Sequence, residues 1–326
     1  MSVVDPTPPV LVLRLRDRTG ARRWWSAFSA LHRLNHAATY LPTFMWGILV
    51  VAPSVSMLWS PWLMAGLAIN ALTVFGGFVL NTITDVRSDL RNENKIYMLK
   101  ALRTIGVKRA VWMYLFEQFV ALLLSIVASF KLNQPLVFVV TLFAVFSNWA
   151  YSAPPLRMKS KSLMGPLFMG MKSGLFPGLI AMSTVPDARF AIETGALLVG
   201  LTLSTASRGV WHSIPDFSAD RASGIRTVAV KHGIIRAVRV AVLATVVGCV
   251  LNLTASTSLM GWWGVLACAG MVGTIYNRYR VGSLADESAI IEHMNDPKSE
   301  IINARWNRAT YTMLCVAAFG NLIFIE

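Results

Sequence analysis

The sequence predicts an all-α fold: a polytopic membrane protein, a bundle of nine transmembrane helices around a central cavity with a cytoplasmic cap. Three observations predict it. Of 326 residues, 55% are apolar and only 14% charged, with a mean hydropathy of +0.55, too little polar surface for a soluble domain of this length. Apolar runs long enough to cross a bilayer as helices recur along the chain. The basic residues gather on one side of those runs.

In chain order the runs cover Leu34 to Leu58, Pro61 to Leu80, Val107 to Phe130, Pro135 to Tyr151, Leu163 to Val185, Phe190 to Trp211, Ala237 to Leu253, Leu259 to Ile275, and Thr310 to Ile325. Of the 30 Lys and Arg, all but Lys131, Lys172 and Arg189 fall before the first run or in and immediately around the connections that follow even-numbered runs. The positive-inside rule then puts the N-terminus and those connections in the cytoplasm. The cytoplasmic connections are also the long ones, which marks that face as the working surface.

Residues 1–33 read as an N-terminal cytoplasmic or interfacial segment, and 34–326 as one transmembrane domain. Arg22, Arg23, Trp24, Trp25 and Phe28 predict an interfacial helix before the first run. No cleavable signal peptide is expected, because no continuous apolar core precedes Trp24. The formal net charge is +14, but the basic residues are scattered through many loops, so the partner they imply is the lipid bilayer and no nucleic acid. Cys249, Cys268 and Cys315 stand singly in apolar runs, without metal-ligand spacing.

Two acidic motifs interrupt this pattern. Asn81, Asp85 and Asp89 close the second run, and Asp216 and Asp220 follow the sixth. A spacing of four stacks such side chains on one helical face. Carboxylates at a membrane boundary are expensive, and hard oxygen ligands of this kind suit Mg²⁺, which in turn bridges to phosphate. The expected metal ligands are therefore Asn81, Asp85, Asp89, Asp216 and Asp220, with the four aspartates catalytic through the metal. The topology opens both motifs to the cytoplasm.

Asn81-xxx-Asp85-xxx-Asp89, Tyr151-Ser-Ala-Pro-Pro-Leu-Arg157-Met-Lys159 and Ile-Pro-Asp216-xxx-Asp220-Arg-Ala-Ser-Gly224 together resemble the UbiA superfamily of intramembrane prenyltransferases, over nearly the whole chain. The resemblance implies that the five oxygen ligands hold Mg²⁺ and, through it, the diphosphate of an isoprenyl donor. Tyr151, Arg157 and Lys159 match the family's Tyr-and-basic segment and would contact that diphosphate, as would Arg33 at the mouth of the first run. The chain departs from the family after the first motif, where an Arg-Pro element is absent, and before the second, where Trp211-His212-Ser213 stands.

Ionisation of a prenyl diphosphate leaves an allylic cation that an apolar, aromatic chamber protects from water. Trp46, Phe75, Phe78, Trp149 and Trp211 are candidates for its walls, and His212 for a proton acceptor. Inside the spans, Glu117 and Lys172 are ionisable groups at membrane depth; they form either a structural pair or functional contacts, with Lys172 a further candidate for the diphosphate. The leading expectation is transfer of the isoprenyl group to an aromatic or lipid-like acceptor. A terpene cyclase acting on farnesyl or geranylgeranyl diphosphate without an acceptor is the alternative, and an ion transporter a more distant one.

Overall fold

The structure, a computed structural model, describes residues 20–90, 95–188, 190–284 and 286–325. Arg189 and the basic residues before Gly20 lie outside them.

The predicted runs are largely helical, although the first is broken after Val51 and the eighth at the Gly261 turn. The elements are α1 (Gly20–Leu31), α2 (Ala37–Val51), α3 (Pro61–Thr84), α4 (Val86–Asp89), α5 (Ile96–Ile105), α6 (Val107–Leu132), α7 (Leu136–Ser152), β1 (Lys161–Ser162), α8 (Met164–Gly170) and α9 (Phe176–Ser183). They continue with α10 (Ile192–His212), α11 (Phe217–Ala222), β2 (Arg226–Thr227), α12 (Val228–His232), α13 (Ile234–Met260), α14 (Trp263–Ala267), α15 (Ala269–Gly282), α16 (Glu287–Asn295) and α17 (Pro297–Ile325).

Three helices, α3, α6 and α13, are long and apolar enough to cross a bilayer, and α7 is a shorter apolar helix. They play different parts. The apolar window of α3 is 61% buried, against 28% for α6 and 33% for α13, so α3 is central. The outer two expose Leu115, Phe116, Phe119 and Leu123, and Leu243, Val247 and Val250. Apolar side chains in such rows are unfavourable in water and natural in hydrocarbon. The protein is an integral membrane protein.

Helix boundaries differ from the hydropathy runs where polar residues continue a helix. The seventh run extends to Met260, where Gly261 turns the chain at φ 56, a conformation that costs glycine nothing. The last helix begins at Pro297, not Thr310. Its first turns carry Lys298, Glu300, Arg305 and Arg308, which interrupt an apolar run without interrupting a helix. Close packing fixes the rest: a Cβ on Gly248 of α13 would lie 2.6 Å from the Gly200 carbonyl of α10, so the two backbones touch through small residues.

The helix expected before the first run is α1, with Trp24 and Trp25 exposed and Ala27 and Leu31 buried against Leu102 and Ile105 of α5. Two connections are tied by a parallel pair of two-residue strands, Lys161 against Arg226 and Ser162 against Thr227. Ser162 Oγ and His232 Nε2, 3.2 Å apart, reinforce that tie. It carries the segment after α7 alongside the segment after the second acidic motif.

Candidate active site

Helical hydrogen bonding runs on through the first motif, from Asp85 N to Asn81 O at 3.0 Å and from Asp89 N to Asp85 O at 2.8 Å. Asp216 sits at the start of α11, and Asp220 N donates to its carbonyl at 2.8 Å. The spacing of four thus becomes one turn of separation in both motifs. They meet through Lys95, whose Nζ donates to Asp216 Oδ2 at 3.1 Å and lies 3.6 Å from Asp89 Oδ1. Two acidic clusters far apart in sequence therefore share one ammonium.

The segment after α7 supplies more positive charge. Arg157 Nη2 donates to Asp85 Oδ1 at 3.1 Å. Lys159 Nζ donates to the same oxygen and, at 3.0 Å, to Asn81 Oδ1, which also accepts from Ser152 Oγ at 3.4 Å. Arg157 holds a left-handed backbone at φ 37, as does Arg33 at φ 51. Such conformations are uncommon for non-glycine residues and tend to mark sites where function constrains the chain. Arg33 places its guanidinium 4.8 Å above the Phe78 ring.

Lys172 lies in a π-helical turn, Met171–Leu175, between α8 and α9, a distortion frequent at functional sites. Its Nζ is 4.6 Å from the Tyr151 ring centre and 5.7 Å from that of Phe78. Among the described residues it forms no ion pair. Glu117 instead accepts from or shares a proton with His32 Nε2 at 2.6 Å. The Glu117–Lys172 pair is thus corrected: His32, directly after α1, meets the Glu117 carboxylate of α6 instead.

Burial, and then the nearby Asp216 carboxylate, push Asp220 up to about 7. Burial also raises Asp89, against the pull of Lys95. For Lys95 itself burial opposes the charge, yet the attraction of Asp216 and Asp89 prevails and holds its pKa above the ordinary value. Burial lowers Lys159 despite the attraction of Asp85.

Among the described residues no three His, Cys, Asp or Glu side chains stand close enough to hold one ion. The donors come instead as two pairs of carboxylates plus an amide, with a lysine ammonium between the pairs. Hard oxygen donors of this kind fit a divalent cation such as Mg²⁺.

Of the expected aromatic walls, Phe78 faces Arg33 and Lys172. Phe75 packs with Phe78, Tyr40 and Phe44 in one aromatic cluster. Tyr40 and Phe44 went unrecognised in the sequence, although their i, i+4 spacing on α2 was available. Trp149 packs with Phe146 and beside the cluster of α1, α5 and α6. Trp211 is buried among Val210, Ile214 and Val228 under Arg278, and Trp46 is fully buried against Gly178. His212 ends α10 exposed, within electrostatic reach of Arg208, Lys95 and Arg33.

A helical membrane bundle carrying paired aspartate motifs at one mouth, beside a basic and aromatic interior, defines a class of intramembrane enzyme scaffold. The profile of the UbiA prenyltransferase family matches residues 40–294, and the chain belongs to that family. Its fold is similar to that of a UbiA homolog from Archaeoglobus fulgidus, at a TM-score of 0.69 and 15% identity over 91% of this chain and 99% of that one. The same homolog bound to DMAPP and Mg²⁺ gives 0.64 and 14%, over 89% and 99%. A digeranylgeranylglyceryl phosphate synthase gives 0.65 and 15%, over 91% and 99%. Comparison with curated proteins finds no match.

Proposed function

We propose that this chain is a Mg²⁺-dependent intramembrane prenyltransferase that moves an isoprenyl group from its diphosphate to an aromatic or lipid-like acceptor. The observation that carries the reading is the Asp89–Lys95–Asp216 bridge, which sets both motifs around one volume. The homolog from A. fulgidus that binds DMAPP, GPP and Mg²⁺ on the same fold supports it. Residues 34–326 would form the catalytic domain, as nine membrane helices with both motifs and their cap in the cytoplasm, and 1–33 an interfacial segment.

Asp85 and Asp89, with Asn81, would hold one Mg²⁺, and Asp216 with Asp220 another. Bound there, Mg²⁺ would neutralise charge on the departing diphosphate. Arg157, Lys159 and Arg33 supply further positive charge around that diphosphate, and Lys172 reaches it from within the bundle. Asp85 accepts from both Arg157 and Lys159, which keeps their donors clustered at the mouth. Tyr151 and Phe78 present ring faces beside Lys172 and Arg33, where an allylic cation would be shielded from water.

The cluster of Tyr40, Phe44, Phe75 and Phe78 favours a second reading, a terpene cyclase, since such rings can also guide a cation onto the donor's own double bond. Purified protein incubated with farnesyl or geranylgeranyl diphosphate and Mg²⁺ decides between them. A cyclic terpene formed without acceptor supports the cyclase; prenylated product only with acceptor supports transfer. No Mg²⁺-dependent release of diphosphate from any prenyl donor would remove both.

A further inference from the structure

Glu117 of α6 takes no part in either acidic motif or in the aromatic cluster. Gly76 of α3 makes room for it: a Cβ there would lie 2.7 Å from Glu117 Oε2. Its Oε1 is 2.6 Å from His32 Nε2, while His32 Nδ1 is 2.9 Å from the Phe28 carbonyl of α1. A carbonyl only accepts, so Nδ1 carries a hydrogen. At 2.6 Å a second proton lies between Nε2 and Oε1, and on whichever atom it sits the pair is net neutral. The ring is 3% exposed and stacks on Phe28, their centres 4.0 Å apart.

The next residue is Arg33, where the chain turns out of α1 at φ 51. Backbone bonds in the turn run from His32 N to Phe28 O, Arg33 N to Ala30 O and His36 N to Arg33 O, at 3.1, 3.2 and 2.9 Å. All three stay within the turn; the Glu117 bond joins it to the bundle. A left-handed non-glycine residue persists only where its surroundings hold it. Arg33 forms no ion pair among the described residues, its buried Nε has no acceptor, and its charge reaches Asp89 and Lys172. Stability alone gives little reason for Glu117 at this depth, since an apolar side chain of similar size would pack without the cost of desolvation. What the pair adds is geometry.

We propose that Glu117 and His32 are positioning residues: they clamp the turn between α1 and α2 so that Arg33 presents its guanidinium over Phe78 to an anion. Resting on the prenyl-transfer reading, that anion is the donor's diphosphate, and neither clamp residue touches it. The carboxylate acts through the imidazole, and the imidazole through the backbone of the residue that follows.

The test uses the full chain in detergent and reads two quantities: trypsin cleavage after Arg33, mapped by mass spectrometry, and the Kd of farnesyl thiodiphosphate with Mg²⁺. Glu117→Leu should speed the cleavage several-fold and raise the Kd about tenfold, the scale of one charged hydrogen bond. Glu117→Gln, whose amide can still bond the ring, should stay close to wild type on both. His32→Phe keeps the stack on Phe28 and loses both hydrogen bonds; it should reproduce Glu117→Leu, and replaces it if that variant does not fold. In an Arg33→Gln background neither substitution should weaken binding further, because the clamp then holds nothing that the donor meets. Losses that persist in that background overturn the proposal, as does a wild-type Kd in a folded clamp variant, or Glu117→Gln as weak as Glu117→Leu. Failure of both clamp variants to fold overturns it too, by making the pair structural. Wild type that binds no thiodiphosphate counts against the prenyl-transfer reading; the cleavage rates then decide the clamp alone, and unchanged rates overturn it.

Discussion

Lys95 Nζ stands 3.1 Å from Asp216 and 3.6 Å from Asp89, one ammonium held between two motifs from different parts of the chain. It and a divalent cation compete for the same oxygens. In Lys95→Gln the two carboxylates face each other uncompensated, so the protein in EDTA should lose roughly 1 kcal/mol, a modest figure because the lysine is partly exposed. The Mg²⁺ concentration for half-maximal thermal stabilisation should fall several-fold. Differential scanning fluorimetry across a Mg²⁺ series reads both effects, and an unchanged Mg²⁺ midpoint would separate Lys95 from the metal site.

Asp85→Asn and Asp216→Asn each keep size and remove charge. Turnover with a prenyl diphosphate is expected to drop by about 10²-fold or more, the scale seen when one electrostatic stabiliser of a leaving group is lost. The variants should elute as monodisperse protein at the wild-type volume. Activity within a factor of three of wild type would end the assignment of these residues as ligands.

Much of this site was legible because a spacing of four has only one meaning on a helix. Asn81, Asp85 and Asp89 are one turn apart as expected, and so are Asp216 and Asp220. Lys95 was not legible as their bridge: it lies 121 residues from Asp216, and nothing local to either residue encodes that contact. Arg278, fully buried beside Trp211, was absorbed into a count of basic residues, since charge counting reads side of membrane and is blind to burial. Glu117 was recognised as out of place, but its partner His32 precedes the first apolar run. Hydropathy located the helices and misjudged their ends wherever charge continued a helix, as in α17.

Asp220, raised to about 7 by burial and by Asp216, gives the site a pH dependence. Its proton must leave before Mg²⁺ binds, so apparent Mg²⁺ affinity should fall as pH drops through 7, approaching tenfold per unit below it. Above that value the dependence should flatten. Half-saturating Mg²⁺ measured from pH 6 to 8 traces the curve, and Asp220→Asn should flatten it throughout; a wild-type curve without slope contradicts the assignment.

Gly178 of α9 meets the ring of Trp46 on α2, and a Cβ there would also lie 2.9 Å from Leu198 Cδ2. Trp46 is fully buried and has nowhere to turn. Gly178→Ala should therefore destabilise by about 1–3 kcal/mol, seen as a lower melting temperature with unchanged Mg²⁺ dependence. Wild-type stability would mean that α2 and α9 are less closely packed than this.

The most direct test of the central claim is an anomalous difference map from crystals grown with Mn²⁺ and a non-hydrolysable geranyl diphosphate analogue. Manganese peaks are expected at Asp85 and Asp89 and at Asp216 and Asp220, joined by one diphosphate, with Lys95 displaced from its bridge. Metal at only one motif, or a diphosphate bound away from both, would contradict the account.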